Sequence, residues 1–287
     1  MAQIPLSDWS VMLNRATGGN GGAQQIINSF KNNRVAGVAT AQVAGMPQSL
    51  WRYDGQRPTA GVVPGTVGTN PTRATDGAIG QTNPTAPNKL YLVSAESSFK
   101  DRVGAQLMDR LMEMSGLSGT VTTPQVITSG TVSRYTGAES AGNEIWLEIY
   151  TIIGATPTTI TASYTNQAGT AGQTTVAAVF GGTSFREAHR LIRLPFQSGD
   201  TGVQSVESVT LAGTTGTAGD FGVTIMRPIV GVSAVVAGNG YERSLAFVPG
   251  PMEIKTDAAL FWIIQSGFST QVPLSSNIRL AFVQGAP

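Results

Sequence analysis

The chain contains no cysteine. Disulfides, cysteine-ligated zinc and thiol catalysis are thereby excluded, and stability has to come from packing or from assembly. Charge is scarce as well. Asp, Glu, Lys and Arg make up 12% of the 287 residues, about half of the ~25% usual in globular domains. Thr, Ser, Asn, Gln and Gly must therefore keep the surface hydrated. The net charge is +1, so bulk electrostatics steer the chain toward neither nucleic acid nor an anionic membrane. No run approaches the ~18 consecutive apolar residues of a membrane-spanning helix. The opening "MAQIPLSDWSVMLNR" lacks a basic n-region and an apolar h-region, so no signal peptide is expected and synthesis in a cytoplasm is.

Catalytic signals are few. The one histidine, His189 in "REAHRLIRL", has no second histidine or cysteine to complete a usual site, and it reads as a structural residue on a strand. Gly213, Gly216, Gly219 and Gly222 recur every three residues, but no G-K-[ST] follows and no βαβ unit is introduced, so neither a P-loop nor a dinucleotide fingerprint is present. Glu144 and Glu148 fall four residues apart on one strand face, about 13 Å, too wide for a glycosidase pair; an exposed face is expected there. There is no G-x-S-x-G elbow and no calcium-loop pattern. No catalytic, cofactor-binding or metal-binding residue is assigned, and no cofactor is expected.

What the chain does contain is pattern. A hydrophobic fraction of 41% supplies a core and argues against disorder. The length suits one large β domain, or a domain of about 150 residues with added segments. Ser7 as an N-cap and Gly18-Gly19 as a stop predict a short helix over 8–16, and "GGAQQIINSFKNN" a second. Residues 34–43 and 48–53 read as strands. Residues 54–88 hold five prolines and many Gly and Thr with no apolar period; so long a loop predicts an extended arm that orders against a partner. "SFKDRVGAQLMDRLMEMSG" predicts the best helix, with Phe99, Val103, Leu107 and Leu111 at four-residue spacing and Met108, Met112 and Met114 packing in a core.

From about residue 119 the period becomes two. "EIWLEIYTII" alternates, "GATP" predicts a turn, and "TTITASYT" returns with Ile160, Ala162 and Tyr164 on one face, a β-meander. Further strands are predicted over 126–134, 189–196, 203–211, 221–230, 241–248, 258–265 and 277–284. Two bland stretches, "NQAGTAGQ" and "AGTTGTAGDFG", read as solvated end loops. The whole predicts a mainly β chain: an antiparallel β-sandwich, jelly-roll-like, over 119–287, preceded by an assembly region over 1–118 with short N-terminal helices and the Pro/Gly/Thr-rich arm.

Two stretches carry a resemblance. "SLWRYDG" with the arm behind it, and "PFQSGDTGVQSVESVTLAGTTGTAGDFGVTIMRPI" at 195–229, are similar to virion structural proteins of tailed bacteriophages, in particular capsid decoration or cement proteins, over about half of the chain. The resemblance implies a jelly roll assembling on the outside of a capsid, with the major capsid protein and its own copies, as a homotrimer, for partners, in a virion made in bacterial cytoplasm. It brings no functional residue with it. Candidate contact residues come from composition: Trp9, Trp51, Arg52 and Tyr53, residue types that dominate interface hot spots, and Arg57, Arg73 and Ile79 in the arm. A major shell protein, a tail or receptor-binding protein and a β-sandwich hydrolase are the alternatives. One good helix counts against the first, end loops without Trp or Tyr against the second, and the missing polar constellation against the third.

Overall fold

The computed structural model describes residues 24–32, 34–35, 38–39, 44–53, 55–57, 59–99, 102–234, 240–244, 252–266 and 275–285. In chain order the strands are β1 (Gln24–Asn32), β2 (Arg34–Val35), β3 (Val38–Ala39), β4 (Pro47–Ser49), β5 (Gly55–Arg57), β6 (Lys89–Phe99), β7 (Val103–Glu113), β8 (Gln125–Val126), β9 (Glu144–Thr151) and β10 (Thr158–Asn166). They continue as β11 (Gln173–Thr174), β12 (Ala178–Phe180), β13 (Leu191–Leu194), β14 (Val203–Leu211), β15 (Asp220–Ala234), β16 (Gly240–Ser244), β17 (Met252–Ile254), β18 (Leu260–Ser266) and β19 (Ser275–Gly285). Among the described residues one turn of 3-10 helix, Gly137–Ser140, is the sole helical element.

The chain is mainly β and its ladders are antiparallel, as the period-two pattern predicts. The layering is richer than a single sandwich. A central sheet runs β13-β9-β15-β7-β18-β4. A second runs β11-β10-β14-β8 with β12 also on β10, and a third runs β16-β6-β19-β1-β5 with β17 on β6. Ile145, Leu147, Ile149, Val223 and Ile225 of the central sheet pack on Ile160, Tyr164, Val206 and Val209 of the second. Farther along the same face, Leu107, Val230, Leu260 and Trp262 pack on Leu92, Phe99, Leu280 and Phe282 of the third. The long strands β7 and β15 serve both cores, and bulges at Ile225/Met226 and Pro228/Val230 bend their ladder where one core gives way to the other. A bulge is also where a proline, which has no N–H to donate, fits inside a sheet. The central sheet interleaves strands from either side of residue 118.

Three expectations are corrected. Residues 24–32 of the second predicted short helix form β1, paired along its length with β19; the first, over 8–16, lies outside the described residues. The best predicted helix is the end of β6 and the whole of β7. A four-residue spacing is also two strand periods, so Val103, Leu107 and Leu111 stack as readily on one face of a strand as on a helix. β7 is buried on both faces, Met108 on the face opposite Leu107 and Met112 beside Leu111 in the core, which hides the alternation. The three methionines do pack in the core.

The third correction concerns "GATP". β9 and β10 lie in different sheets, so residues 154–157 carry the chain across the sandwich instead of turning a hairpin. The loop after β14 locks this crossing. Thr215, fully buried, accepts from the Gly154 N–H at 3.0 Å through its hydroxyl, and its carbonyl accepts from the Thr156 N–H at 3.1 Å. The stretch expected to be a solvated connection is thus anchored in the interior at Thr215.

Candidate functional site

Of the residues singled out by composition, Trp51 packs on the back face of the central sheet, opposite the two cores, whereas Tyr53 and Ile79 pack in the core shared with the third sheet. The chain from 59 to 81 is bonded to the central sheet. The Gly61 N–H donates to the Trp51 carbonyl, Thr69 exchanges both backbone bonds with Glu113, and the Ile79 N–H donates to the Leu260 carbonyl at 2.6 Å. The Ser115 hydroxyl and Arg134 Nη1 donate to the carbonyls of Pro64 and Pro71. Pro-rich backbone with few internal bonds is satisfied here by the sheet beneath it. These contacts of the arm are all within the chain.

Trp51, Tyr53 and Ile79 are 1%, 0% and 1% exposed, and such side chains offer no surface to a partner. Trp51 packs edge-on against Phe261 and joins Met108, Trp146, Leu191 and Met226. Arg52 reaches inward: Nε lies 3.7 Å from Glu148, Nη2 donates to the Ile149 carbonyl, and the guanidinium stands 4.9 Å over the Tyr150 ring. Arg73 bonds the Gln81 carbonyl and pairs with Asp257 at 3.4 Å on the surface. Arg57 is in β5, opposite Phe30 of β1. Trp9 lies outside the described residues.

Beneath Trp51 sits a buried charge cluster that the sequence reading missed. Arg110 pairs with Glu113 at 2.6 Å and with Glu148 at 2.7 Å, and its Nη2 donates to the Tyr150 hydroxyl at 3.2 Å. Its guanidinium lies 4.9 Å from the Trp51 ring. Strict alternation would put Arg110 and Glu113 on opposite faces; the β7 bulge at Leu111 puts them on one. Burial works to lower the Arg110 pKa, but Glu148 and Glu113 outweigh it and hold the group above its ordinary value. Burial pushes the Glu113 carboxyl up against the pull of Arg110, and burial with Glu148 pushes the Tyr150 phenol well up. The expected exposed glutamate face is therefore corrected at Glu148, which is fully buried. A second pair, Asp109 and Arg134 at 2.7 Å, lies on the other face of β7.

His189 sits in a turn, not on a strand, with φ +67°. Its ring stacks on Tyr53 at 4.2 Å, and burial, then Arg52 and Arg190, lower its pKa to about 3. Neutral and stacked, it fills space. Among the described residues no group of three His, Asp or Glu side chains gathers as metal ligands would. At one end of the back face a hollow of about 260 Å³ opens over Gly104 and Gly231, walled by Trp146, Gln106 and Gln265.

The outside of the molecule has a different character. On the outer face of the second sheet, Thr161 pairs with Thr210, Ser163 with Ser208 and Thr165 with Ser205. Thr159 pairs with Val179 and Ser208 with Val126, both valines exposed at the sheet edges. Among the described residues the one charge on this face is Glu207, and it is tied down: Thr165 and Ser205 donate to Oε1 at 2.7 and 2.8 Å, and Ser163 to Oε2 at 3.5 Å.

No family model matches the chain, and no curated protein matches it. Among solved structures it is similar to the T=1 particles derived from infectious bursal virus, with 10% identity over 91% of this chain and 78% of that one, at a TM-score of 0.19. The infectious bursal disease virus VP2 subviral particle gives 10% identity, 93% and 81% coverage and a TM-score of 0.19. The T13 particle of the same virus gives 7% identity, 98% and 86% coverage and a TM-score of 0.20. Superpositions this loose carry no argument about function.

Proposed function

We propose that the chain is a non-enzymatic structural protein of a virus particle and, within that class, a decoration protein bound to the outside of a capsid built by another protein. The observation that carries the reading is where the charges go. A chain with few charges buries Asp109, Arg110, Glu113, Glu148 and Arg190, and what it turns outward on its second sheet is hydroxyls and valines. Among the described residues such a surface carries a single ion, Glu207, so little charge has to be stripped of water against another protein. Many copies held side by side through modest contacts of this kind gain by avidity. The sequence resemblance to phage decoration proteins points the same way.

The test is sedimentation of the purified protein, alone and mixed with capsids stripped of accessory proteins. Co-pelleting at a fixed copy ratio, with capsids made more resistant to heat, is the expected result. Closed shells formed by the protein alone would replace decoration with the shell-subunit reading, and no capsid binding with neither would end both.

A further inference from the structure

We draw no further inference here: the strongest candidate, the hollow over Gly104 and Gly231 at one end of the back face of the central sheet, carries nothing, because its walls of Trp146, Gln106 and Gln265 single out no one ligand and nothing in the structure shows what covers it.

Discussion

At the scale of single residues, the sharpest expectations come from groups buried against their chemistry. Arg110 neutralises two carboxylates that water does not reach. Arg110→Met leaves Glu113 buried without a counter-ion and Glu148 with Arg52 alone at 3.7 Å, a loss on the order of 3–5 kcal/mol. The same substitution combined with Glu113→Gln and Glu148→Gln removes the stranded charges and is expected to recover much of it; thermal melts of the single and triple variants check this. His189 gives a pH dependence. Its folded pKa, about 3, lies below the ~6.5 of an unfolded histidine. The unfolded chain therefore takes up the proton first, and the stability owed to the neutral ring is complete above about pH 6.5 and is lost as pH falls toward 3. Asn tolerates the positive φ that His189 adopts. In urea melts at several pH values, His189→Asn is expected to show a shallower loss of stability across this window than the wild type. Neither role was legible in sequence. Arg110 and Glu113 sat in a segment that looked helical, where a charged pair three residues apart is ordinary surface, and nothing local announces that Tyr53 will stack on His189.

At the scale of elements, the strands whose sequence alternates were legible and β7, which does not alternate, was not. β10 and β14, each with one face in a core and one less buried, were expected almost at their observed bounds, and so was β9, which is buried on both faces but alternates in sequence around Glu148. β7 was not, because it is buried on both faces and its sequence has no regular polar side to alternate with. Which sheet a strand joins was equally hidden. β9 and β10 are sequence neighbours joined by six residues that end in the turn-forming GATP, yet the pairing is decided by β13, β14 and β15 farther along the chain. The crossing between them makes its own prediction. A Cβ at Gly154 would lie 1.7 Å from the Thr215 carbonyl oxygen, a backbone atom that cannot swing aside. Gly154→Ala must separate the crossing from its locking loop and is expected to cost on the order of 1–3 kcal/mol. Gly172→Ala, where a Cβ meets nothing within 4 Å but φ is +72°, should cost only the smaller backbone term of about 1 kcal/mol. Comparing the two melting temperatures separates close packing from conformational strain.

At the scale of the whole molecule, the Pro/Gly/Thr segment decides how the chain is held together before any partner is met. Composition made it an arm, and it is extended, but its backbone is bonded to β7, β18 and the loop after β8 of its own chain, and it covers Trp51, Met108 and Phe261. The signal that was missing is the sheet beneath: a segment without periodicity can be ordered by strands far away in sequence, and no local pattern records them. The two pictures differ in what a protease sees. An arm waiting for a neighbour would be open to attack in the free protein, whereas a segment fastened at Gly61, Thr69 and Ile79 can be cut only after local opening. The Arg73–Ala74 bond is a suitable reporter, since Arg73 is tied to Gln81 and Asp257 and trypsin needs an extended, accessible stretch around it. In the isolated chain, trypsin is expected to cut this bond no faster than the core unfolds, so that its protection follows global stability through a urea titration. Rapid cleavage there in the absence of denaturant, with the rest of the chain intact, would show that the segment is not fastened in the free protein and would return it to the role of an arm that orders on a neighbour.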